Sequence, residues 1–88
     1  MDRPDIRPSA LKHGISAERM IHVVDTTCPM PLDHPDGSGQ VIFLGPDQRG
    51  VPLEVTGFQD DNGHLTILHA MRLRPSYKAA YEEVMRWL

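Results

Sequence analysis

An α+β domain is the fold class this sequence predicts: two N-terminal helices, a three-stranded antiparallel meander and a C-terminal helix packed on the sheet. Three observations predict it. Ser16 followed by Met20, Ile21, Val23 and Val24 spells a capped amphipathic helix. Val51, Leu53 and Val55 alternate with Pro52, Glu54 and Thr56, the period-two pattern of a half-buried strand. Tyr77, Ala80, Tyr81, Val84, Met85 and Leu88 recur every three or four residues, which is one apolar helical face.

Residues 1–7 read as a loose lead-in. A first helix is expected to open near Pro8 and Ser9, because proline suits the first helical turn, and to stop at Gly14. The second helix starts after Ser16, with Glu18 at its positive end, and frays before Pro29 and Pro31. Residues 28–39, dense in Pro, Asp, Gly and Ser, read as an exposed loop. Three strands follow: 40–44, 51–58 and 64–71. Pro46-Asp47-Gln48-Arg49-Gly50 and Asp60-Asp61-Asn62-Gly63 link them as short turns, so the pairing is expected to be antiparallel. The last helix opens near Pro75 or Ser76.

A chain of 88 residues has room for one domain, 1–88, with a modest core. Its 40% hydrophobic and 24% charged residues are those of a globular protein and exclude wholesale disorder. The single Cys28 excludes an internal disulfide framework and suits a reducing compartment. No apolar run reaches the ~18 residues of a membrane span, and the start lacks the apolar stretch of a signal peptide, so the expected location is cytoplasmic. The net charge of −3 hides a division. Asp33, Asp36, Asp47, Glu54, Asp60 and Asp61 stand against Arg49 alone in the middle of the chain. Beyond residue 63, Arg72, Arg74, Lys78 and Arg86 outnumber Glu82 and Glu83. That asymmetry suits an anionic partner at one end of the molecule.

No phosphate-binding glycine loop, paired-cysteine signature or His-Glu-x-x-His occurs. His13, His22, His34, His64 and His69 lack metal-ligand spacing, so neither metal nor cofactor is expected. What stands out is His69-Ala70-Met71-Arg72-Leu73-Arg74-Pro75-Ser76-Tyr77-Lys78, where a strand gives way to a helix. Strand alternation sends His69 and Met71 to one face and Arg72 to the other. Arg74, Tyr77 and Lys78 fall at the helix start, where free N–H groups favour anions. These are the group types a metal-free ribonuclease needs: cations for the phosphate, and His, Glu, Lys or Tyr to move protons. The RNA 2′-hydroxyl supplies the nucleophile. The same residues also fit an ordinary solvated surface, with Arg72 and Glu54 as a structural cross-strand ion pair.

The ordered set Lys12-His13-Gly14-Ile15-Ser16, Leu68-His69-Ala70-Met71-Arg72 and Tyr81-Glu82-Glu83, spread over residues 11–83, resembles the BrnT-type toxins of bacterial toxin–antitoxin pairs, within the wider RelE-like ribonucleases. That family carries an N-terminal strand with a tryptophan ahead of its Lys-His-Gly element, and residues 1–10 show no such pattern. The resemblance implies a RelE-like fold and metal-independent endoribonuclease action on messenger RNA. It also implies a cognate antitoxin covering the active face. It assigns Arg72 and Arg74 to phosphate and transition-state charge, His69 to acid–base work and Glu54 to a general base. Lys12, His13, Tyr77 and Lys78 fall to RNA binding. Two other functions compete: a non-catalytic protein-interaction or regulatory module, and a metal-dependent hydrolase built on the histidines. Met85, Trp87 and Leu88 end the chain with apolar bulk, which suits a homodimer or a docked antitoxin.

Overall fold

Two Asp-x-x-Gly turns determine where the sheet folds back on itself. Asp47 Oδ1 accepts the backbone N–H groups of Arg49 and Val51, and Asp60 Oδ1 accepts those of Asn62 and His64. Gly50 (φ 83°) and Gly63 (φ 81°) take the left-handed position that closes each turn. A computed structural model describes residues 3–32 and 39–88. Positions 1–2 of the expected lead-in and 33–38 of the expected loop lie outside these. The order is β1 (Asp5–Ile6), a 3-10 turn (Pro8–Leu11), α1 (Ala17–Thr26), β2 (Met30–Pro31), β3 (Gln40–Pro46), β4 (Pro52–Gln59), β5 (Leu65–Arg72), a second 3-10 turn (Pro75–Tyr77) and α2 (Lys78–Met85).

The expected fold is corrected. The described residues hold two α-helices and one five-stranded mixed sheet, in the order β1-β5-β4-β3-β2, rather than a three-stranded antiparallel meander fed by two N-terminal helices. β1 runs parallel to β5, through Asp5↔Thr66 and Ile6↔Ile67. The remaining pairings are antiparallel. Two residues are too few to show alternation, which is why β1 passes for a lead-in. β2 lies inside the expected loop, where Pro31 takes an edge position that needs no N–H in the ladder. Pro8–Leu11 closes as a single 3-10 turn ahead of Gly14 (φ 77°), so the first expected helix is not α-helical.

α1 forms where its cap and stripe place it. The Ser16 hydroxyl accepts from the Arg19 N–H at 3.4 Å, and Met20 and Val23 are buried. They meet Phe43, Leu53, Val55, Leu65, Ile67 and Ala70 from one face of the sheet, with Ala10 and Ile15 closing the cluster. α1 lies so close on β3 that a Cβ at Gly45 would stand 2.5 Å from the Thr27 methyl. Ile42 and Leu44 alternate to the opposite face and are also buried. The other helix that contacts β3 is α2. A bulge interrupts β4–β5: Thr56 faces His69 and Gly57 faces Ile67, leaving Leu68 as the extra residue. Only glycine fits at 57, because a Cβ there would drive into the Thr66 carbonyl oxygen. The Leu68 carbonyl accepts from the Ser9 hydroxyl at 2.7 Å, and the Ile67 carbonyl from the Arg7 N–H at 3.0 Å. The bulge thereby ties the segment leading to Lys12 and His13 against β5.

Candidate active site

Glu54 opens the site. It sits on central strand β4, pairs with Leu44 on one side and Met71 on the other, and is 0% exposed. A buried carboxylate survives only with charge and hydrogen bonds around it. Arg74, just beyond β5, supplies both. Its backbone N–H donates to Glu54 Oε1 at 2.9 Å, its Nε to Oε1 at 3.0 Å and Oε2 at 3.1 Å, and its Nη2 to Oε2 at 2.7 Å. This bidentate clasp fills one side of the guanidinium. Hydrogen bonding to Glu54, then its charge, pushes the Arg74 pKa up, so the group stays cationic. The other side of Arg74 faces outward; its side chain is 49% exposed, and its guanidinium stands 5.6 Å from the Tyr77 ring centre. The ion-pair partner of Glu54 is therefore Arg74 and not Arg72.

His69 lies on the same face as Glu54. Alternation puts Glu54, Thr56, His69 and Met71 on that side, and His69 Nε2 reaches to 4.0 Å from Glu54 Oε2 without forming a hydrogen bond. Against this ring stands that of His13, edge-on, with centroids 5.2 Å apart and an interplanar angle of 74°. Burial pushes the His69 pKa down. The Glu54 charge opposes that shift, while His13, Arg74 and Lys12 add to it. The result is an imidazole that favours its neutral form, its Nε2 buried without a hydrogen-bond partner, flanked by a second imidazole and two cations. Lys12 and His13 are exposed, and Tyr77 is half-buried.

The remaining sequence candidates are elsewhere. Arg72 pairs with Leu53, on the α1 face, so its side chain leaves the sheet on the side opposite His69. It joins Arg74 and Lys78 in lining an open cleft of about 630 Å³ between the end of β5 and α2. Of the eight candidates, His13, His69, Glu54, Arg74, Tyr77 and Lys12 gather at one place, while Arg72 and Lys78 border the neighbouring cleft. Glu54 is enclosed by Arg74, whose guanidinium it orients, and with no exposed surface it is not an accessible base. Among the described residues, no three His, Cys, Asp or Glu side chains are grouped to hold a metal, and no helix is long and apolar enough to cross a membrane.

Sequence reasoning missed a second polar construction. Asp47, only 3% exposed, accepts from Arg19 Nε at 2.7 Å as well as from its own turn. Burial pushes this carboxyl up, but the bonds from the Val51 N–H, Arg19 and the Arg49 N–H outweigh it and hold it below the usual range. The signal was there, since an Asp three residues ahead of a turn glycine caps its own loop. Its ion pair with a helix 28 positions away was not visible. Compared with models of protein families, with curated proteins and with solved structures, the chain matches none.

Proposed function

We propose that the chain is a metal-independent endoribonuclease of the toxin–antitoxin type, with His69 and His13 as its proton-transfer pair. The observation that carries this reading is the meeting of two imidazoles from distant segments beside a clamped, outward-facing arginine. Cleaving RNA without a metal requires three things: a base for the 2′-hydroxyl, an acid for the leaving 5′-oxygen, and positive charge for the phosphorane between them. His69, kept neutral by burial, takes the 2′-hydroxyl proton as that oxygen bonds to phosphorus. The P–O5′ bond breaks, and His13 delivers a proton to the departing oxygen. Arg74 and Lys12 face the non-bridging oxygens. Glu54 aims Arg74, and Tyr77 offers a ring for a base to stack on. The products are a 2′,3′-cyclic phosphate and a 5′-hydroxyl end. Messenger RNA as substrate, a cognate antitoxin covering this face and assembly as a homodimer belong to the same proposal.

A non-catalytic interaction module of the same fold is the second reading. The Glu54–Arg74 clasp favours it, because that arginine already has a full-time partner. Incubating the purified protein with single-stranded RNA in the presence of a chelator separates the two. The ribonuclease reading expects cyclic-phosphate ends and no cutting of the 2′-deoxy strand. It expects a loss of roughly 100-fold or more in His69→Ala and His13→Ala. Intact RNA with the wild-type protein at low salt, or undiminished cutting by both variants, would sink it.

A further inference from the structure

Beside the imidazole site, two clefts share a wall. The cleft of about 630 Å³ at the start of α2 is lined by Arg72, Arg74 and Lys78, with Glu82 as its acid. A second of about 400 Å³, at the N-terminus of α1, is lined by Arg19, Arg49 and Arg72, with Asp47 as its acid. Arg72 and Val51 belong to both, so the two are continuous around the end of the sheet. The acids do not cancel the cations. Asp47 is buried, and its charge is answered by Arg19 and two backbone N–H groups. Glu54 answers Arg74. Arg49 and Arg72 are exposed, and neither makes an ion pair among the described residues. Lys78 and Glu82 stand one turn apart on α2, on the same wall of the wider cleft.

The arrangement follows from the strands. Arg49, Arg72, Arg74 and Lys78 cluster where β4 begins and β5 ends, whereas Asp60 and Asp61 occupy the turn where β4 ends. An eight-residue strand separates the two ends by about 25 Å. More than two Debye lengths at physiological salt keep the acidic turn from screening the basic end. A net charge of −3 is therefore no guide to what this edge binds.

We propose that Arg72 and Arg49 form a phosphate-binding track. It carries the backbone of a single RNA strand away from the imidazole site, past Arg74, and around the sheet edge to the N-terminus of α1. The identity of the polyanion rests on the ribonuclease reading; the track itself rests on the two joined clefts. Its role is sequence-independent grip on nucleotides flanking the cut, which leaves Arg72 outside the chemical step.

The test is binding of a non-cleavable 2′-deoxy oligonucleotide of about ten residues, measured across salt concentrations. Each lost phosphate contact lowers the salt slope by about 0.7 for a single strand, so Arg49→Ala combined with Arg72→Ala should reduce it by about 1.4. Affinity at low salt should fall at least 10-fold. Arg86→Ala, which removes a cation at the far end of α2 already paired with Glu83, should change neither. Matching melting temperatures establish that the variants fold. A double variant that binds and cuts like wild type, with the slope unmoved, overturns the track and leaves the ribonuclease standing. Binding that is lost in the double variant, from a wild-type protein that never cuts RNA, upholds the track and removes the ribonuclease. A wild type that neither binds nor cuts overturns both.

Discussion

Glu54 is the residue on which most of the local architecture depends. It is fully buried, and its charge is answered by Arg74 through three side-chain bonds and one backbone bond. Arg74→Ala leaves that carboxylate in the sheet without a counter-ion. Breaking a buried pair from one side costs about 3–5 kcal/mol. Because about half of the Arg74 side chain is exposed, the expected loss in denaturant unfolding is nearer the lower end, about 3 kcal/mol. Arg74→Lys, with one ammonium in place of a fork, should lose less, and an unchanged midpoint in Arg74→Ala would show that Glu54 is hydrated after all. Alternation within one strand placed His69 on one face and Arg72 on the other, but that Glu54 shares the His69 face depends on the register of β4 against β5. The sequence did not show that Arg74 would reach back, since that depends on the path of the chain after β5. His69 brings a pH signature. Its neutral form is favoured in the fold, so the unfolded chain binds a proton first as pH drops below 6.5. Stability should decline from there toward the lower folded value, and His69→Gln should flatten that decline in denaturation curves taken between pH 7 and 5. If His69 is the base, the acidic limb of kcat/KM lies below 6.5 as well; a limb above it would remove His69 from that role.

At the scale of elements, the legible parts are those with a local cause. Ser16 and the stripe behind it specify α1, and Asp47 with Gly50 and Asp60 with Gly63 specify the turns, because each signal lies within a few residues. The two-residue strands were not legible. β1 is held by pairing to β5 and β2 by pairing to β3, and neither has enough residues for a period to emerge. The packing of α1 on β3 likewise depends on a tertiary fact, the absence of a side chain at Gly45. Gly45→Ala would press a methyl against Thr27, whose β-branched side chain is held by its hydroxyl bond to the Val23 carbonyl at 2.6 Å. The expected penalty is about 1–3 kcal/mol in thermal or denaturant unfolding. Thr27→Ser removes the obstructing methyl and keeps the hydroxyl, so the double variant should regain most of the loss. Simple additivity of the two substitutions would mean that the helix yields without cost.

For the molecule as a whole, charge is arranged by position along the strands rather than by total. The sequence already showed acids in its middle and cations beyond residue 63, but only the folded sheet sets the Asp60–Asp61 turn and the arginine edge at opposite ends of β4. The site shares this dependence on completed topology. Ser9 bonds Leu68 and Asp5 meets His64, each across 59 positions, and His13 reaches His69 through the segment those contacts anchor. Closing so long a loop comes late in folding, since its entropy is lost before its contacts are gained. During synthesis the first half of the chain therefore emerges from the ribosome with no partner for β1 and no second imidazole for His13. If the proposed ribonuclease reading holds, a nascent chain is inert toward the transcript being read, and becomes competent only once β5 is free of the exit tunnel.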